Sequence, residues 1–368
     1  MEYIKTLLKQ LMDLPGLSGF EGPVSSVISK EWDQYTDEVT ETKTGSVHGL
    51  RKATDAKGRR PHTLMIATHM DAIGMMVTSI DGGCLHFTDV GGIDPRILPG
   101  TPVLVHATGS ASGPQDLAGV IAAPHPKAMP PGTNGTFPMA ELLIDIGLSD
   151  EEARSVVQIG DIISFNTHPM EHGADMLSGH SADNRASVVA LSQFLRSNRK
   201  NSFDWDIVAV ATSQEETTFA GAYTSSRIIN PDLAIVIDVT FARGPGSSDW
   251  RSFPAGKGIT LGLGPNIHTG FMRKAKHLAE QHEIPVTIEP MPKHSGTDAY
   301  AVQVANHGIP TIVIGIPLKY MHTPVEMINL NEIKRAAKLL TAIAEALDEQ
   351  FLKEISWDKD EHDDAADN

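Results

Sequence analysis

The 368-residue chain holds a single cysteine, Cys84, which rules out an internal disulfide and a cysteine-rich zinc site. It has no apolar run near the roughly 18 residues that a membrane-spanning helix requires. Positive charge is also scarce. Lys and Arg number 30 against 46 Asp and Glu, for a formal charge of −16. That balance argues against nucleic-acid phosphates and anionic membranes as partners. The opening MEYIKTLLKQLMDL is amphipathic and lacks the apolar stretch and small-residue cleavage site of a leader. A cytoplasmic location is the expectation.

Composition is otherwise that of an ordinary globular protein, 40% apolar and 21% charged, and the length allows two domains. Apolar residues recur at helical spacing over 4–14, 24–32, 185–195, 271–281 and 330–347. Short continuous apolar runs fall at 63–67 (TLMIA), 206–211 (DIVAVA), 233–237 (LAIVI) and 311–316 (TIVIGI). Such runs alternating with helices predict an α/β fold, with a mostly parallel mixed sheet covered by helices on both faces. Residues 74–165 differ: Gly- and Pro-rich, with short β-like pieces and one amphipathic segment, AELLIDIGLSDEEARSVV. They read as a small β-rich domain inserted between residues 1–73 and 166–350 of the α/β domain. Residues 351–368 are expected to be an acidic, disordered tail, since 354–368 carries seven acidic residues and one lysine.

Open parallel sheets bind ligands beyond the carboxyl ends of their strands. There the four runs deliver His69, the pair Glu215-Glu216, Asp238 and His322, while GHSADNR sets Asp183 at a helix start. Two imidazoles and three carboxylates suit zinc or cobalt, and five ligands suit two ions sharing one carboxylate. Asp71, two residues after His69, is placed to orient its ring. Of the adjacent pair, Glu216 is the ligand and Glu215 the base that moves a proton between water and leaving amine. Ser213 and Glu216 also fit a helix capping box, S-x-x-E.

Eight segments in order, LSGFEGPV, THMDAIGMMV, LLIDIGLSDEEA, ADNRASVVAL, QEETTFAGA, VIDVT, SGTDA and YMHTPVEMI, resemble the M42 metallopeptidases. These are the tetrahedral or glutamyl aminopeptidases, also called cellulase M or endoglucanases. The resemblance implies a di-metal aminopeptidase acting on peptides. His69, Asp183 and Asp238 would hold one ion and Asp183, Glu216 and His322 the other, both zinc or cobalt. It further implies a cis bond at Asp183–Asn184, a PDZ-like or barrel insert serving dimerisation, and a twelve-subunit tetrahedral shell. Ser295, Gly296 and Thr297 would belong to the substrate pocket wall. The family's EEVGxRGA stands here as EETTFAGA, with Thr217, Thr218 and Ala220 in the changed places, and Ala72 replaces a frequent acidic residue.

Three alternatives are compatible with parts of the pattern. One is an inactive shell protein, motivated by EETTFAGA. Another is a glycoside hydrolase using two carboxylates. The third is a serine hydrolase with Ser181 in GHSAD, although GADMLSG before it does not read as the strand such an elbow needs. His125, His168, His172 and His180 read as loop residues.

Overall fold

The computed structural model describes residues 1–54, 61–123, 137–247 and 249–356. Its large sheet takes β1 (Glu38–Glu41), β2 (Val47–Arg51) and β3 (Thr63–His69) from the start of the chain. The next six strands lie elsewhere: β4 (Gly74–Asp81), β5 (Cys84–Val90), β6 (Pro102–Ala107), β7 (Gln115–Ala122), β8 (Leu143–Asp145) and β9 (Ile162–Phe165). The large sheet resumes with β10 (Met170–His172), β11 (Met176–Gly179), β12 (Asp206–Thr212) and β13 (Leu233–Phe241). It ends with β14 (Ile259–Leu263), β15 (Val286–Pro290), β16 (Thr311–Lys319) and β17 (Glu326–Asn329). The helices are α1 (Glu2–Met12), α2 (Gly22–Trp32), α3 (Asp150–Val156), α4 (Ala182–Ser197) and α5 (Ala220–Ile229). After them come α6 (Thr269–Gln281), α7 (Ala299–Gln303), α8 (Leu330–Ala346) and α9 (Phe351–Glu354).

Every residue of β3 is buried, and only a strand covered on two faces allows that. β12, β3, β13 and β16 lie side by side and parallel in that order. Helix α4 packs on β3 and β13 and on α1 and α8, while α5 and α7 form a separate pair over the same strands. The expected mostly parallel sheet needs correcting. Only this centre and the β14–β15 pair are parallel, and the flanking pairs are antiparallel. The flanks escaped because their strands are short and lie outside the four apolar runs.

Strands β4 to β9 close into a barrel in the order β4-β5-β8-β7-β6-β9. It has its own buried cluster, including Met75, Val103, Val105, Ile121, Ile144 and Ile163. The amphipathic segment of the sequence divides into strand β8 and helix α3. Ser149 and Glu152 there form a full capping box. The acidic tail also needs correcting at its start. Phe351 is buried, edge-on to Phe271, and Ile355 is buried too, so the fold continues past residue 350. Apolar residues spaced four apart override the acidity here. His125 and residues 357–368 lie outside the described residues.

Candidate active site

Parallel pairing sets the ends of the central strands level. His69 ends β3 opposite Thr212 of β12. Val236 of β13 pairs with Ala67, so Asp238 lies level with His69 two residues on. Asp183 enters at the start of α4, where Asp183 and Asn184 leave helical geometry and the bond between them is cis. Asn184 Nδ2 donates to the Ile237 carbonyl, tying this turn to β13 at 3.0 Å. Glu215 and Glu216 follow β12 directly, and His322 stands in the turn between β16 and β17 with φ of +60°.

The five predicted ligands converge. His69 Nε2 lies 3.2 Å from Asp183 Oδ1 and 3.6 Å from Asp238. His322 Nε2 lies 3.4 Å from Asp183 Oδ2 and 3.4 Å from Glu216. The two oxygens of Asp183 thus face different imidazoles. His69, Asp183 and Asp238 offer ligand atoms all within 4.8 Å of one another, and so do Asp183, Glu216 and His322. Both rings turn Nδ1 to a backbone carbonyl, His69 to Asp71 at 3.1 Å and His322 to Gly92 at 2.8 Å. That leaves both Nε2 atoms aimed at the carboxylates, the tautomer that metal ligation needs.

Asp71 has a wider part than its sequence spacing indicates. Its carboxylate is 3.5 Å from His69 Nδ1, farther than its own carbonyl. The same carboxylate accepts the backbone N–H of Glu215 and of Glu216, each at 3.1 Å, and the Ser18 hydroxyl. Glu21 accepts the neighbouring N–H of Gln214 at 3.0 Å. Ser213 is no capping residue. Its hydroxyl donates to the Thr44 carbonyl, and α5 begins only at Ala220.

Sequence reasoning missed two further carboxylates. Glu326 is fully buried and accepts the N–H of Asp183 at 3.0 Å and of His322 at 2.9 Å. Its signal was available, as it lies four residues after His322 in YMHTPVEMI. Asp298, within SGTDA, is buried with one oxygen on the Thr212 hydroxyl and the other unpartnered.

Burial and the crowding of carboxylates govern the electrostatics. Burial pushes the Glu215 carboxyl well up, opposed by His69 and reinforced by Asp238, Asp298 and Glu216. Glu216 and Asp238 are raised for the same leading reason. Burial opposes protonation of His322, yet Asp183 and Glu216 push its imidazole up to about 11. His69 is likewise held well above its ordinary value against burial, by Glu215, Asp183, Asp238 and Asp71. Crowded carboxylates that must borrow protons from two imidazoles are the chemistry a divalent cation relieves. Among the described residues the donor set therefore fits metal.

A cavity of about 270 Å³ opens over this cluster, with Ser295, Gly296 and Thr297 in its lining. A larger one, about 560 Å³, lies between Phe20 and barrel residues such as His106 and Ile159, away from the cluster. Chemistry and not size singles out the first. Ser181 is buried in a left-handed turn, its hydroxyl donating to the His180 carbonyl at 2.6 Å. The expectation that no strand precedes it is wrong, since β11 ends at Gly179. His322, its would-be base, faces Asp183 and Glu216 instead. His180 is buried with its ring on Phe165.

The M42 glutamyl aminopeptidase family matches residues 50–339. The lysyl aminopeptidase of Pyrococcus furiosus is 31% identical over 346 residues, covering 93% of this chain and 96% of the relative. The TET aminopeptidase of the marine sediment archaeon Thaumarchaeota archaeon SCGC AB-539-E09 superposes with a TM-score of 0.89 at 28% identity. That match covers 96% of this chain and 99% of the other. The Pyrococcus horikoshii TET1 peptidase, which can assemble into a tetrahedron or a large octahedral shell, gives 0.79 at 29% identity, over 94% and 100% of the two chains.

Proposed function

Because the chain belongs to the M42 glutamyl aminopeptidase family of metal-dependent exopeptidases, we propose that it removes N-terminal residues from peptides using two divalent cations. The observation that carries this is the pair of ligand triads sharing Asp183. His69, Asp183 and Asp238 would hold one ion, and Asp183, Glu216 and His322 the other. Nitrogen mixed with carboxylate oxygen suits zinc or cobalt. Such ions supply Lewis acidity toward the scissile carbonyl and toward water.

The chain's own groups do the rest. Glu215 takes the proton of the attacking water and returns it to the departing amine, from its place beside His69 in the cluster. Asp71 sets the backbone of Glu215 and Glu216 and steadies His69. Ser295, Gly296 and Thr297 form pocket wall. The Pyrococcus horikoshii TET1 peptidase can assemble into a tetrahedron or a large octahedral shell, which supports self-association for this chain, with the inserted barrel as the dimer contact.

Aminoacyl p-nitroanilides test the reading. Enzyme loaded with zinc, cobalt or manganese should release nitroaniline only from substrates with a free α-amine, and chelation should stop it. Glu215→Gln should lower kcat by about 10²- to 10⁴-fold while metal content stays at two ions. Turnover of blocked substrates alone, or inactivation by serine reagents but not by chelators, would defeat it.

A further inference from the structure

The cavity over the cluster extends past the ligands to a floor at the edge of the sheet. Asp238, Gly315 and Thr260 stand abreast on β13, β16 and β14, about 5 Å apart from strand to strand. Thr240 is one pleat beyond Asp238 on the same face. Gly315 interrupts the run of β-branched residues that opens β16. A Cβ there would meet the Thr260 hydroxyl at 2.1 Å, Glu289 Oε2 at 3.0 Å and Thr240 Cγ2 at 3.1 Å. The missing side chain is therefore what keeps the floor open.

Glu289 reaches into that floor from β15. Its Oε1 accepts the Thr240 hydroxyl at 2.7 Å and its Oε2 the Thr260 hydroxyl at 2.6 Å. Each oxygen keeps a lone pair for a further donor. Among the described residues no cation pairs with Glu289, and no lysine or arginine lines the cavity. Burial pushes its carboxyl up in spite of the two hydroxyls. Met291 and Met321 also line the cavity and give it flexible apolar surface.

We propose that Glu289, framed by Thr240, Thr260 and Gly315, selects substrates whose N-terminal residue carries a long side chain with a cationic tip, lysine or arginine. This rests on the aminopeptidase reading. Among the carboxylates that line the cavity, two divalent ions would balance Asp183, Glu215, Glu216 and Asp238, which leaves Glu289 over. A half-buried carboxylate without a cationic partner carries a desolvation cost, which an ammonium or guanidinium at the end of an apolar stem offsets. An acidic first residue is repelled by the same group.

The test compares Lys-, Arg-, Leu- and Glu-p-nitroanilide on the metal-loaded enzyme and on Glu289→Gln. For wild type, kcat/KM for Lys and Arg should exceed that for Leu about tenfold or more, with Glu the poorest. Glu289→Gln should reduce the Lys-to-Leu ratio by about the same factor. Should that variant fail to fold, inhibition of the wild type supplies the readout. L-lysine should bind more tightly than L-norleucine, which has a like stem and no ammonium. A wild-type preference for Leu or Glu, a Lys-to-Leu ratio unmoved by Glu289→Gln, or norleucine binding as well as lysine overturns the proposal. Hydrolysis of none of the four overturns the peptidase reading itself, and the cation pocket with it.

Discussion

The two triads that share Asp183 are built in different ways. His69 ends β3, Asp238 lies within the adjacent β13 three residues before its end, and all three inner side chains are buried. The outer triad is held by turns: Glu216 just past β12, and His322 in a left-handed turn with 34% of its side chain exposed. His322 is tied by the Gly92 carbonyl, which follows β5, and by Glu326. Strand residues in a close-packed sheet move little, whereas a turn tied at two points can yield. The inner position should therefore hold its ion more firmly, and the outer one should exchange with solvent.

Substitution at the shared residue has the largest expected effect. Asp183→Ala removes a ligand from both triads and should abolish both metal content and turnover. His322→Ala should lose one ion only and keep the inner one. Elemental analysis of the dialysed variants reads this directly. Loss of both ions from His322→Ala would show that the triads stand or fall together.

A smaller effect, of stability rather than activity, lies behind the inner triad. Burial pushes the Asp298 carboxyl up to about 7, with His69 and the Thr212 hydroxyl opposing and Asp238 and Asp71 reinforcing. A carboxyl raised on folding favours the protonated native chain. Its stabilising contribution is complete below about pH 4, is lost as pH rises toward 7, and by then costs on the order of 4 kcal/mol. Asp298→Asn keeps the shape without the charge. In metal-free protein, urea unfolding should show the variant gaining on wild type from pH 4 to 7 and level beyond. A constant difference across that range would remove Asp298 from the inner triad's electrostatics.

The same contrast explains what the sequence made legible. His69 and Asp238 lie on long apolar strands, and such runs announce the strand, although β13 itself runs on to Phe241. Position along these runs was enough to single out His69 and Asp238, whose side chains converge. The outer triad depends on turns, and His322 was placed by a run that in fact continues to Lys319. The flanking antiparallel strands left no continuous apolar signal. Glu326 and Asp298 fell inside quoted motifs, but a carboxylate acting on backbone N–H groups has no spacing rule to reveal it. Glu289 lies on β15, where half-exposed residues give little pattern.

The smallest effects belong to the two buried carboxylates that hold the backbone under the ligands. Asp71 accepts the N–H groups of Glu215 and Glu216, and Glu326 accepts those of Asp183 and His322. Groups that position ligands in this way typically change metal affinity or activity by about 10- to 100-fold when altered. Glu326→Gln turns one acceptor oxygen into a donor facing an N–H. It should weaken the outer ion within that range and leave the inner ion in place, because Asp183 is also fixed through Asn184 and α4. Asp71→Asn should act on kcat more than on ion number, since it loosens the pair that supplies the base. Metal titration followed by calorimetry, with kcat measured at saturating metal, separates the two. If Glu326→Gln weakened both ions equally, the turn and the strand ends would be one rigid unit, and the ranking of the two sites would fail.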